Sequence, residues 1–146
     1  MLRRELIIRE LMDRISQISE ITSYARNPKA PIKEGDCPAV NLFELPDKVL
    51  KSKSRGGIPV YDKELKVAVE IVVAEDDIPT ANLSLMDLLV KVQKAIFVDH
   101  PPNLGGKCSL IEEYEGSAVI RPETGSSIAA IGVGFNIRYI EDLSIL

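Results

Sequence analysis

The sequence predicts an α+β domain: a mixed, mostly antiparallel β-sheet with two α-helices packed on one face. Three observations predict it. Apolar residues recur at helical spacing near residues 2–19 and 84–96, and at every second position in residues 64–74 and 128–141. A further extended stretch, residues 110–121, leads into the last of these through Pro122-Glu123-Thr124-Gly125, as a hairpin would. Strands clustered between two helices, with an antiparallel hairpin at the end, favour a sheet covered by helices on its apolar face.

The stretch from Ile128 to Glu141, IAAIGVGFNIRYIE, organises the rest. Ala129, Ile131, Val133, Phe135, Ile137 and Tyr139 occupy alternate positions, so an extended chain puts them on one face. The other face runs Ile128, Ala130, Gly132, Gly134, Asn136 and Arg138, small at first and then polar. Glycine and alanine cannot fill a core, but they let another backbone or side chain approach closely. Gly132, Gly134, Asn136 and Arg138 are therefore expected to form a tight packing spot or a contact face for another subunit. Fully extended, this strand is about 45 Å long and must pair with others.

Leu2 to Ser19 forms an amphipathic helix, with Leu6, Ile7, Leu11, Ile15 and Ile18 on one stripe and Ile8 and Met12 broadening it. Glu5 and Arg9, and Glu10 and Arg14, lie four apart with the acid leading, a favourable order on an exposed face. Residues 21–36 hold Pro28 and Pro31 and form a surface connection with at most a short strand near 22–26. Ala39 to Leu45 is a strand closed by Pro46-Asp47.

Residues 48–58 carry Lys48, Lys51, Lys53 and Arg55 among serines and the pair Gly56-Gly57, with no acid between them. Such a segment cannot bury much apolar surface and is expected to be a mobile basic loop. Lys48, Lys51, Lys53, Arg55, Gly56 and Gly57 are the candidate partner-contact residues, because a long loop in a compact domain carries function more often than its neighbours. Glu64 to Ala74 is the next strand, ended by Glu75-Asp76-Asp77. Ser84, with Asp87 three residues on, is the expected start of the second helix, and Leu85, Leu88, Leu89, Val92 and Ile96 form its stripe. Residues 110–121 are weakly patterned and rich in acid, with Glu112, Glu113 and Glu115.

Composition narrows the function. The 146 residues suit a single domain, residues 1–146, with 45% apolar and 27% charged residues. No apolar run approaches the length of a membrane span, and the start has no signal-peptide pattern. Cys37 and Cys108 are expected to be buried, reduced thiols. A net charge of −4 opposes a general grip on nucleic acid. His100, the sole histidine, stands at a helix end beside two prolines without a nucleophile or orienting acid, so no catalytic group is built on it.

One catalytic pattern is present. Asp47 after Pro46, followed by Glu64-x-Lys66, matches the spacing of the PD-(D/E)xK nucleases, in which two carboxylates hold Mg²⁺ and the lysine assists attack on a phosphate. The same letters also fit charged residues alternating on a solvated strand face, and the first helix offers no glutamate within its apolar stripe to complete the metal site. Phosphate-cradling glycine motifs, serine elbows and histidine metal clusters are absent from the sequence. No cofactor is expected.

The order of elements resembles a known family. MLRRELIIRELMDRI opens the chain, followed by the strand AVNLFEL, a basic glycine segment, the strand ELKVAVEIVV, the helix SLMDLLVKVQKAI and a closing hairpin that ends in GVGFNIRYIED. This layout is similar to the tail terminator (minor tail U-like) proteins of long-tailed bacteriophages and prophages, across nearly the full chain. The resemblance rests on order and texture. It implies a non-catalytic structural protein that assembles as a hexameric ring on the finished tail tube, ends tube polymerisation and offers the surface to which the head is joined. It implies the tail tube protein and the head–tail connector protein as partners, host cytoplasm during assembly and then the virion tail as location, and passage of DNA through the ring without specific binding. Acidic walls would suit such passage. The basic loop is expected to meet carboxylates on a neighbouring ring of the tail. The sequence offers no apolar patch to mark a subunit interface. A monomeric prophage adaptor is the remaining alternative.

Overall fold

A computed structural model describes residues 2–120 and 127–145. It has two helices, α1 (Arg3–Ser16) and α2 (Ile78–Ile96), and five strands: β1 (Ser23–Arg26), β2 (Ala39–Arg55), β3 (Ile58–Ala74), β4 (Leu110–Gly116) and β5 (Ile128–Asp142). The strands form one sheet in the order β1-β2-β3-β5-β4. Only β1 and β2 are parallel; the remaining neighbours are antiparallel. The predicted α+β architecture, helices over one face of a mostly antiparallel sheet, is the one found.

The inner, helix-covered face is built as the alternation requires. Leu65, Val67, Val69, Ile71 and Val73 of β3 lie opposite Ile137, Phe135, Val133, Ile131 and Ala129 of β5, all buried. Ile7, Ile8, Leu11 and Ile15 of α1 and Ala81, Leu85, Leu88, Val92 and Ile96 of α2 close over them. Phe135, fully buried, packs its ring against Phe97 with centroids 5.8 Å apart. Burial of a side chain of that size contributes roughly 1.5–3 kcal/mol.

Several boundaries differ from expectation. The basic segment is no irregular loop. β2 continues through it to Arg55, and β3 begins at Ile58 rather than at Glu64, so residues 48–58 form the arm of a long hairpin. Gly56 and Gly57, both with positive φ, make the two-residue turn that matches strand twist. Across the arm, Lys48 stands level with Glu64 and Lys51 with Asp62 in the strand register. The periodicity was hidden because neither face of the arm is wholly apolar. Pro46 does not end β2; a register shift between Glu44 and Asp47 absorbs it, on an edge that β1 leaves uncovered beyond Leu42.

The helix α2 begins six residues before the predicted Ser84. Asp77 is its cap, accepting from the Thr80 N–H at 3.0 Å, and Pro79 sits in the first turn, where its missing N–H costs nothing. Asp87 is then mid-helix and pairs with Lys91. The longer helix exposes Leu83, Met86 and Val90 on its solvent side, an apolar stripe that the sequence reading did not find. β4 ends at Gly116, followed by an isolated bridge from Ile120 to Ala130. The predicted turn at Pro122–Gly125 lies outside the described residues. No helix among the described residues is long and apolar enough to cross a membrane.

Candidate interaction surface

The arm gathers its cations on one side. Lys48 lies opposite Glu64, Lys51 opposite Asp62, Lys53 opposite Val60 and Arg55 opposite Ile58. These partners are alternate residues of β3, so all four cations lie on the same face, the outer face away from the helices. In the sequence Lys48 is out of step with the other three. A register shift between Val49 and Lys51 restores the step. Arg55 pairs with Asp142 of β5 at 2.9 Å, while Lys48, Lys51 and Lys53 have no ion pair among the described residues.

The root of the arm is fixed by a polar cluster. Glu44 accepts from Arg26 Nε at 2.7 Å, from Asn27 Nδ2 at 2.6 Å and from Arg4 Nε at 3.3 Å. Asn27, in a left-handed conformation, accepts in turn from the Glu44 N–H at 2.8 Å. The Arg26 hydrogen bonds, then Asn27 and Arg4, outweigh burial and hold the Glu44 carboxyl below its usual range. Beside it, the buried Tyr139 hydroxyl donates to Asp47 Oδ2 at 2.8 Å, with Arg4 and Lys63 at 3.4 and 3.7 Å from the same carboxylate. Burial pushes the Tyr139 hydroxyl upward, and so does the Asp47 carboxylate. Two residues beyond Tyr139 on the same face, Glu141 receives the Arg3 N–H on both oxygens at 3.1 Å, a carboxylate set at the N-terminus of α1.

This geometry breaks up the nuclease pattern. Asp47 lies opposite Leu65 and points to the inner face, where Tyr139 and Arg4 hold it. Glu64 and Lys66 are the neighbours of Leu65 and face the other way, and Lys66 Nζ stands 5.0 Å from the centre of the Tyr114 ring. The sheet separates the two carboxylates. Nor, among the described residues, are three or more His, Cys, Asp or Glu side chains placed to hold a metal ion. Asp47 is no free surface charge either, contrary to the sequence reading.

The other candidate face is partly filled from within the chain. Gly132 donates its N–H to Ser117 Oγ at 2.7 Å, and the Tyr114 ring lies over Gly134. Arg138 pairs with Asp62 at 3.0 Å, and the Asn136 Oδ1 is buried without a hydrogen-bond partner. The small residues thus serve as a tight packing spot for β4. What remains exposed beside it is acidic: Glu112 and Glu115 of β4 lie opposite Asn136 and Gly134, on the same outer face as the arm cations. The sequence showed these acids without giving them a place.

No family model and no curated protein matches the chain. A likeness appears among solved structures. The fold matches a chain in the structure of the virion of native gene transfer agent (GTA) particle, with a TM-score of 0.50 and 11% identity over 90% of this chain and 91% of that one. At that identity the match establishes a shared fold. It spans nearly all of both chains.

Proposed function

We propose that this protein is a structural component of a tailed, phage-like particle: a tail terminator that caps the tail tube as a hexameric ring, ends its polymerisation and presents the head-joining surface. The observation that carries the reading is the near full-length fold match to a virion chain, joined to the sequence resemblance already described. The surfaces agree with it. The chain exposes a basic arm, an acidic sheet edge and an apolar stripe on α2, which are features of a protein that works through contacts. On this reading the arm residues Lys48, Lys51, Lys53, Arg55, Gly56 and Gly57 meet a carboxylate-bearing neighbour, and the partners are the tail tube protein and the head–tail connector protein. Four positive charges on the arm leave −8 on the remainder of a chain whose net charge is −4, which suits a channel that DNA crosses without sticking. The protein would act in the host cytoplasm during assembly and then in the virion tail.

Light scattering on the purified protein, followed by mixing with purified tail tubes, tests the reading. A mass six times that of one chain, and capping of the tubes, are expected. A chain that stays monomeric at high concentration and leaves tube length unchanged would sink it in favour of a monomeric adaptor.

A further inference from the structure

We infer that the basic edge of β2 in one copy pairs antiparallel with the acidic edge of β4 in the next, offset by four residues so that Glu112 meets Lys51 and Glu115 meets Lys48. The inference rests on the ring reading above and names the arm's neighbour as a second copy of this chain.

The two edges are suited to each other and cannot meet within one molecule. β2 and β4 stand at opposite sides of the four-strand run β2-β3-β5-β4. Among the described residues, β2 has no strand on its free side beyond Leu42, where the Asn27 and Arg4 side chains reach only the backbone of Glu44 and Leu45. Nor has β4 a strand beyond β5; its outer edge is engaged at Ile111, whose N–H donates to the Pro102 carbonyl at 2.9 Å. Unpaired strand edges of this kind are templates for another strand. Directions alternate along the run, so a copy added at the β4 edge in the same orientation brings its β2 antiparallel to β4. The charged rows also share a face: Lys48 and Lys51 on the outer side of β2, Glu112 and Glu115 on the outer side of β4.

Register follows from the ladder. Glu112 lies level with Asn136 and Lys66, and Glu115 with Gly134 and Ala68. Lys51 lies level with Asp62, and Lys48 with Glu64. A shift of four residues, about 13 Å along the strands, brings Glu112 opposite Lys51 and Glu115 opposite Lys48 at once. Without the shift, Glu113 would stand level with Glu44, acid beside acid. The shifted contact also avoids the part of β2 already taken by β1. One edge meeting a different edge is a head-to-tail contact, and such contacts close into rings when the rotation permits. A constant offset between successive copies is the stagger that closed sheets require.

The test uses charge reversal and mutual rescue, read by light scattering with circular dichroism to monitor folding. Lys48→Glu with Lys51→Glu makes both edges acidic, and Glu112→Lys with Glu115→Lys makes both basic. Each variant alone should fall to the mass of one chain. An equimolar mixture should regain the wild-type mass with the two variants in equal share, because every contact again joins opposite charges. Wild-type assembly should weaken as salt rises. Variants that keep the wild-type mass, or a mixture that stays monomeric, overturn the inference while an intact wild-type ring leaves the ring reading standing. Variants that keep the ring but no longer bind purified tail tubes overturn it in favour of the tube as the arm's neighbour. A monomeric wild type overturns both. If reversal beside Glu64 and Asp62 unfolds the arm, Lys48→Gln with Lys51→Gln supplies the same reading, with loss of assembly expected and retention overturning the pairing.

Discussion

The ring of Tyr114 occupies the space that a side chain at position 134 would need: a Cβ built on Gly134 falls 2.6 Å from two ring carbons. The glycine is therefore kept by a contact within the chain, between the bulge of β4 and the middle of β5. Gly134→Ala should destabilise by about 1–3 kcal/mol through overpacking. Tyr114 lies near the edge, so Tyr114→Ala in the same molecule should recover most of that loss. Denaturant melts of the two single variants and the double variant measure the coupling. Additive losses would show that the ring swings aside freely.

Phe135→Ala removes a fully buried ring that packs on Phe97 beneath both helices. A loss of about 3–5 kcal/mol is expected in a urea melt. A loss below about 1 kcal/mol would mean that the inner face repacks around the hole.

Glu44 makes stability depend on pH. Its carboxyl is held below the usual value of 4.5, first by the Arg26 hydrogen bonds. A depressed folded pKa means that the unfolded chain takes up its proton first. The contribution is thus fully present above about pH 4.5 and is lost as pH falls through the lower folded value. Glu44→Gln should be less stable than wild type at pH 6 and should lose less on going to pH 3. Parallel pH profiles for the two proteins would remove Glu44 from the acid response.

Asp47 and Glu64, matched by the nuclease pattern, should behave differently from each other. Asp47 accepts from the buried Tyr139 hydroxyl, so Asp47→Ala leaves that hydroxyl unsatisfied and should cost about 1–3 kcal/mol. Glu64→Ala, on the outer face, should cost less than about 1 kcal/mol. Tyr139→Phe together with Asp47→Ala should cost less than the sum of the two. Mg²⁺-dependent DNA cleavage by the wild type, abolished in both alanine variants, would contradict the separation of these residues by the sheet.

The sequence by itself determined the fold class, the inner face of β5 and β3, and the stripe of α1. Each of these is an apolar repeat whose period equals that of the element, so burial leaves no other face to choose. It also showed the cations of residues 48–55 and the acids of residues 112–115, although only as charges along a chain. Tertiary structure decided their use. Whether the basic stretch is a loop or a strand depended on residues 58–64 of β3 lying across from it, and on a register shift that local pattern does not reveal. The cap of α2 depended on Asp77 meeting the Thr80 N–H, which outweighed the equally plausible signal at Ser84. Asp47 and Glu64 looked like partners until pairing with Leu65 set them on opposite faces, since one position along a strand reverses the direction of a side chain. The glycines of β5 acquired their reason only when Tyr114 and Ser117 were brought beside them, because a close approach is a property of two segments and is written in neither alone.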